Sequence, residues 1–446
     1  MQVVKQPAPQ IFTDEGELVW SGPTSNSTNF KWQYLDGEPT MTFTRGVSTA
    51  GGNVGHGYTN VSFVDTSYDY KYVLCPNFNL TIPGDASYEC QADIHESFIT
   101  DRNTLLVSAY NATPADLSAF NGSANGWVFD CLFFEIEPRT GEILFRWSAL
   151  EHVSLSESHE PLLQSGNAAA PWDFFHINSV VNVGDHYLVN SRHTWTVYYL
   201  DSQGNVDWRL KGDTGGDFGT LPEGGTFRWQ HHARPHNVTN TTFDLSIFNN
   251  NNQAVDNSSS HPTDNLVYHL PFQPNNATPP VLTRNLPNNP PLFVDSQGSY
   301  QPSLSNGNQF TTFGQLPLMR EYGPATDGSD VRWTARAGPD NEVQLYRGFK
   351  EVWHATPSYP PSLVVLPSNE SSGPAYYGYV SWNGATDVTG WNVYEGESSD
   401  KLHLVGQVGF RGFETRFDVA CWAKYVQVQA VVNGTEAKKS DVVCTE

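Results

Sequence analysis

The chain has 446 residues, of which 38% are hydrophobic and 13% aromatic, and carries a formal charge of −23 from 24 Lys+Arg against 47 Asp+Glu. Such acidity excludes a nucleic-acid surface or an anionic membrane as partner, and no apolar run is long enough to span a bilayer. The length fits one large β-architecture plus a smaller module, with ample aromatic material for a core.

In chain order the first patterned segment is "DEGELVW" (Asp14 to Trp20), a Gly turn followed by a strand carrying Trp. The same grammar returns in "RTGEILFRW" (Arg139 to Trp147) and "SQGNVDWRL" (Ser202 to Leu210). Strands precede the second and third, so each reads as a hairpin. Between them run "KYVLC", "NTLLVSAY", "VFDCLFFEIE" and "HYLVNSRHTWTVYYL", then "FDLSIF" and "YGYVSW". Helix signals are almost absent, so the class is all-β. Recurrent hairpins of this kind predict propeller blades joined by long loops. From Asn249 to Asn308 the chain is rich in Asn, Pro and Ser and reads as loops between short strands. A boundary is expected at "HATPSYPPSLVVLP", separating a propeller over 1–355 from a fibronectin III- or immunoglobulin-like β-sandwich over 356–446.

Sequons stand at Asn26, Asn60, Asn79, Asn111, Asn121, Asn237, Asn240, Asn257, Asn276, Asn369 and Asn433, a density that marks a glycosylated, secreted chain. No leader precedes "MQVVKQPAPQ", so a mature form is expected. Five cysteines leave one unpaired. Cys75 with Cys90, and Cys421 with Cys444, are expected as disulfides of an oxidising compartment. Cys131 sits in an apolar strand without a basic neighbour and reads as a buried inert thiol rather than a nucleophile.

Polar chemistry concentrates in "ADIHESF" (His95, Glu96), "PWDFFHINSV" (His176), "NSRHTWTVYYL" (Arg192, His193) and "FRWQHHARPH" (His231, His232, Arg234). Arginine beside histidine suits oxyanion holding with proton transfer. Period two along a strand puts His193 on the face opposite Arg192, where a packed structural role weighs equally with a catalytic one. His56, in a Gly-rich loop, is left open between funnel and surface.

These stretches, with "SQGNVDWRLKG" and "VSWNGATDVTGWNVYEG", resemble the arylsulfotransferase family in its fungal secreted branch. The resemblance covers nearly the whole chain and implies a six-bladed propeller with its site in the central funnel. In the founding bacterial enzymes one histidine carries a transient sulfo group. By motif His231 matches that nucleophile, His176 and Arg192 match its helpers, and His95 the remaining histidine. Where relatives read "WQHDA" and "FDN", His232 and Asn249 replace the expected carboxylates. That departure favours another chemistry of the branch, in which a hydroxymethyl phenol or tropolone loses water to a quinone methide. The quinone methide then adds to an alkene, such as a terpene, in a hetero-Diels–Alder reaction. Catalysis would fall to His95, His176, Arg192 and His231. Trp172, Phe175, His193, Trp229 and His232 would bind the substrate, and no cofactor is implied.

A metal centre is not expected from spacing, because no HExxH, H-x-E-x-H or EF-hand pattern is present. The remaining rival is a secreted propeller that binds a small molecule without transforming it.

Overall fold

The computed structural model describes residues 7–51, 54–253, 261–275, 279–340, 342–370 and 373–445. Strands dominate, and the α-helical structure among the described residues is the single turn Ala149–His152. The chain divides into two compact units: Asn26–Phe63 with Tyr72–Glu351, and Met1–Ser25 with Val64–Lys71 and Val352–Glu446.

Within the larger unit, five four-stranded sheets follow one another among the described residues, each in sequential order. They start at Ser27–Leu35, Ser97–Ile99, Ile177–Val183, His231–His236 and Ser299–Gln301. Successive sheets bury one cluster between each pair, and the period-two alternation of the strands supplies both faces. Leu105, Val107 and Phe134 pack toward Val61 and Phe63 of the first sheet. Leu106 and Phe133, one residue out of phase with them, pack toward Tyr187 and Tyr198 of the third.

The repeated Gly–Trp hairpins stitch sheet to sheet. Trp147, on the last strand of the second sheet, donates its indole N–H to the Gly204 carbonyl in the last hairpin of the third, at 3.1 Å. Trp208 does the same to Phe272 of the fourth, at 3.2 Å. Gly204 has φ +89°, and a Cβ there would stand 3.0 Å from Trp147 Cδ1. The turn and the close approach of the indole both require glycine. The first such hairpin, at Asp14 to Trp20, belongs instead to a separate two-stranded sheet, Gln10–Phe12 with Leu18–Ser21.

That hairpin belongs to the smaller unit, together with the chain from Val352 onward. Ser21 N–H donates to Asn383 at 2.8 Å, Gly384 N–H donates to Val19, and Trp20 stacks on Tyr68 at 5.2 Å, so the N-terminal segment joins the smaller unit. A three-stranded and a five-stranded antiparallel sheet make up the rest of that unit. Trp382, Trp391, Phe417 and Val428 share their common core.

Cys75 and Cys90 form the expected disulfide. Cys421 and Cys444 do not; both are free and exposed. Thr445 turns inward to the Ala423 carbonyl at 2.9 Å, so strand alternation sends the neighbouring Cys444 outward. Cys131 is buried, and burial holds its thiol far above the usual range, as an inert role requires. Among the sequons, Asn26, Asn79, Asn121, Asn237, Asn240, Asn369 and Asn433 are exposed. Asn60 and Asn111 lie half-buried in strands, and the Asn111 carboxamide is already bonded to Thr81 N–H and Thr113. Asn257 and Asn276 lie outside the described residues.

One buried acid gives a stability test. Desolvation raises the Asp264 carboxyl to about 7 although Asn249 donates to it at 2.7 Å. A carboxyl raised in the fold binds its proton more tightly there than in the unfolded chain. Its penalty is therefore absent below about pH 4 and complete above about pH 7. Asp264→Asn should stabilise the protein by about 1–3 kcal/mol at pH 8, after allowance for partial exposure, and by nothing at pH 4. Urea unfolding at the two pH values measures the difference.

Candidate active site

The first strands of four sheets meet at the centre of the larger unit around one carboxylate. Glu96 accepts Lys31 Nζ at 2.6 Å, Arg234 at 2.5 Å and Arg347 at 3.2 Å. Arg347 also donates to Asn29 Oδ1 at 3.0 Å and to the Asn178 carbonyl at 2.6 Å, tying three sheets together. All four charged side chains are buried. Burial pulls Lys31 down to about 7, whereas Glu96, facing three cations, is held far below the carboxylate range. This cluster plugs the centre.

One residue from that plug lies a layer of imidazoles. Tyr346, beside Arg347, donates its hydroxyl to the His95 carbonyl at 3.0 Å. His95 Nδ1 donates to Asp93 at 2.5 Å, and His176 Nδ1 donates to Asp173 at 2.7 Å. Each carboxylate fixes the Nδ1–H tautomer and leaves the lone pair on Nε2. The two rings meet edge-on with centroids 4.6 Å apart. The local fold follows from "PWDFFHIN": Phe174 and Phe175 are wholly buried in the cluster between the second and third sheets. The chain between Asp173 and His176 is thereby anchored, and His176 takes φ +53° to begin its strand.

His56, on the strand Val54–Val64, places Nε2 3.2 Å from Asp173 Oδ2. Its neighbour Gly57 donates its backbone N–H to Asp93 at 2.9 Å. Burial lowers the His56 pKa, but the Asp173 and Asp93 carboxylates outweigh it and the net shift is upward. Burial holds His176 and His193 well below the usual imidazole range despite the attraction of Asp173.

Arg192 and His193 do not lie on one continuous strand. The segment 192–195 is a tight turn between His186–Ser191 and Thr196–Leu200, with Trp195 at φ +49°. The turn is stitched to the His176 loop by Arg192 N–H to the His176 carbonyl and His193 N–H to the Phe175 carbonyl. The two side chains consequently meet rather than oppose one another: Arg192 Nη1 donates to His193 Nε2 at 2.8 Å. Arg192 Nη2 reaches the Asp295 carbonyl at 2.9 Å, and the guanidinium lies over Trp229, 5.1 Å from its centroid. His193 packs on His176 with ring centroids 4.8 Å apart.

A cavity of about 160 Å³ approaches this layer. Its walls include Thr49, His56, Tyr58, Tyr88, Phe129 and Pro171. Tyr58 and Tyr88 stack at 4.4 Å to form a flat aromatic side. The aromatic wall expected from sequence is elsewhere. Trp172 donates to the Glu160 carbonyl and Phe175 packs on Trp147 and Tyr198, both inside the core. Trp229 supports Arg192 and is likewise buried.

The structure therefore brings together His95, His176, Arg192 and His193, with His231 in the field of Arg192, His95 and Arg347, and adds His56, Asp93, Asp173 and Tyr346. Both aspartates stand in the quoted motifs, two and three residues before their histidines, so their pairing was legible there. His56 and Arg347 carry no motif and converge only through the sheets.

The profile of the arylsulfotransferase (ASST) family matches residues 31–338, more than half of the chain. The chain belongs to the arylsulfotransferase family. Among solved structures, an α-L-arabinanase from Penicillium chrysogenum aligns at 8% identity and TM-score 0.39, covering 99% of this chain and 98% of its own. An α-L-arabinofuranosidase from Fusarium graminearum aligns at 8% identity and TM-score 0.37, covering 93% and 94%. A Bacteroides caccae protein of unknown function aligns at 11% and 0.37, covering 72% and 87%. No curated protein matches the sequence at a significant level.

His231 lies within the same buried charge field: burial first, then Arg192, His95 and Arg347, hold it well below the usual imidazole range. Its Nδ1 donates to Asn250 Oδ1 at 2.6 Å, and its Nε2 accepts the Gln297 backbone N–H at 3.2 Å. Both nitrogens of this buried ring are in use, so the lone pair that a sulfo acceptor needs is committed. The neighbouring carboxamide that matters is Asn250; Asn249 bonds Arg228 N–H and Asp264 instead. His232 leaves in another direction, where its Nδ1 accepts Tyr300 N–H at 3.3 Å. His231→Ala should accordingly keep turnover within about threefold of wild type while losing about 1–3 kcal/mol of stability, from two polar groups left unpaired. Abolished turnover at full stability would return His231 to the reacting centre.

Proposed function

We propose that this arylsulfotransferase-family protein is an enzyme that dehydrates a small phenol- or tropolone-like alcohol to a quinone methide and guides its addition to an alkene. The observation that carries this reading is the pair of buried carboxylate–imidazole dyads behind an aromatic cavity, together with the full engagement of His231. The ring of the substrate would lie against Tyr58 and Tyr88, with its oxygens directed past His56 toward His95.

His95 Nε2 takes the phenolic proton while Asp93 steadies the imidazolium through Nδ1. The C–O bond of the hydroxymethyl group breaks, and His95 returns the same proton to the departing hydroxide. Water leaves, the quinone methide remains and the enzyme is unchanged. The following cycloaddition moves no proton and needs only a shaped apolar surface. Arg192 acts here as a positioning residue, since its guanidinium joins the His193 turn to the Asp295 carbonyl.

A second reading, sulfotransfer, is consistent with the family and has one observation in its favour. His176 Nε2 is buried without a partner while Nδ1 is held by Asp173, which is the state an N-sulfo acceptor requires. Incubation with hydroxymethyl phenols or tropolone alcohols, with and without an aryl sulfate, separates the readings by mass spectrometry. Loss of water or an alkene adduct supports dehydration. Gain of a sulfo group supports transfer through His176, and an unchanged ligand leaves binding alone.

The Cys75–Cys90 disulfide and seven exposed sequons support a further part of the reading, that the protein is a secreted glycoprotein. Enzymatic removal of N-glycans from the secreted chain should lower its mass, with Asn60 and Asn111 unmodified.

A further inference from the structure

We infer that His56, Asp173 and His176 form a binding site for one divalent transition-metal ion, of which zinc is the natural probe. The three side chains come from the strand Val54–Val64 and from the loop that opens the third sheet. All are buried, and one ligand atom can be taken from each so that all lie within 4.8 Å of one another. Asp173 Oδ2 is the hub, 3.2 Å from His56 Nε2 and 2.7 Å from His176 Nδ1. With bonds of about 2.0–2.1 Å, tetrahedral ligands stand about 3.3 Å apart, so the cluster is within a small side-chain adjustment of a three-ligand site.

Charge points the same way. Among the described residues, the ion pairs of Asp93 and Asp173 are with histidines alone; no Lys or Arg reaches either carboxylate. Two buried carboxylates whose ion-pair partners are imidazoles alone can accept a cation between them as counter-charge. One proton shared between a ring and Asp173 would neutralise one charge and satisfy one nitrogen. A divalent ion held by His56 Nε2, Asp173 Oδ2 and His176 Nδ1 would place its charge where the three side chains converge.

His56, Asp93 and His95 form the other His–Asp grouping, but no His56–Asp93 ion pair closes it. That leaves His95–Asp93 for proton movement and the tighter trio for the metal. The cavity lined by His56 reaches one of the three ligand residues. No sequence spacing announces this site because its ligands come from two sheets, 117 residues apart from His56 to Asp173.

Ligation through His176 Nδ1 displaces the proton that this nitrogen otherwise gives to Asp173, so the metal and the His176–Asp173 dyad are alternative states of one site, and the metal is tested without the reaction. Full-length protein produced in zinc-supplemented medium is assayed for metal by plasma mass spectrometry. About one equivalent of zinc per chain is expected. Dialysis against EDTA should remove it and lower Tm by several degrees, and added zinc should restore both. His56→Gln should retain less than about a tenth of an equivalent while keeping the wild-type far-UV spectrum. If that variant does not fold, chelation and reloading of the wild type decide the question. Wild-type protein with under about a tenth of an equivalent of any divalent metal, and a Tm indifferent to zinc, overturns the site. Undiminished zinc in a folded His56→Gln also overturns it.

Discussion

Asp93→Asn should lower the rate of substrate dehydration by about 10³–10⁴-fold while leaving substrate affinity within a few-fold of wild type. Asp93 accepts four hydrogen bonds in the structure: from Gly57 N–H, from both the backbone and Nδ1 of His95, and from Ser108. The amide keeps one acceptor oxygen for Gly57, while the oxygen that takes the His95 backbone N–H, His95 Nδ1 and Ser108 becomes an NH2. It cannot accept from His95 Nδ1 with its nitrogen, and there it either repels the N–H or forces the other tautomer. The ring then presents N–H rather than a lone pair on Nε2, and no group remains to receive the phenolic proton. The charge of the transient imidazolium also loses its counter-ion. Single-turnover kinetics with a hydroxymethyl phenol separate this loss from binding. A folded variant that retained more than a tenth of the wild-type rate would remove the His95–Asp93 pair from the reaction.

The parts of this arrangement that were legible in the sequence are those written within one strand or turn. Gly141 and Gly204 with the Trp that follows each announced the hairpins, and Trp147 and Trp208 became the stitches between sheets. The motifs around His95, His176 and Arg192 converge because each opens or turns a strand near the centre of its sheet. Other features depended on distance across the fold. His56 and Arg347 reach the centre from segments without any motif. Trp172 and Phe175 border polar residues, yet a loop aromatic either lines a cavity or anchors its loop in the core, and hydrophobicity alone does not distinguish the two. Phe175 anchors; Tyr58 and Tyr88 line the cavity. The run through Arg192 reads as one strand, and only the left-handed conformation at Trp195 reveals the turn that brings Arg192 against His193. The number of blades was implied by family resemblance rather than by counting hairpins.

The largest stability effect is expected at Glu96. Glu96→Gln should destabilise the protein by about 3–5 kcal/mol, because it leaves Lys31, Arg234 and Arg347 buried together without a counter-charge. Glutamine retains the shape and one acceptor oxygen, so little of the loss comes from packing. The converse substitution separates charge from contact. In the fold Lys31 faces one carboxylate but two guanidinium groups, and desolvation, the largest influence, pulls it to about 7. A lysine so depressed gives up its proton more readily in the fold than in the unfolded chain. Between about pH 7 and pH 10.5 the unfolded state binds more protons, so this group's contribution to stability improves as pH rises and its penalty is complete below about pH 7. Lys31→Met removes the penalty and should therefore gain stability at pH 6 relative to wild type, by about 1–3 kcal/mol, and gain little at pH 10. In the double variant Lys31→Met/Glu96→Gln one of the three stranded cations is gone, so its loss should be smaller than that of Glu96→Gln alone at pH 6. Denaturant titrations of the four proteins at both pH values measure every term of that cycle. Simple additivity of the two substitutions would show that Glu96 and Lys31 act separately, and that the central plug is held by packing rather than by its charges.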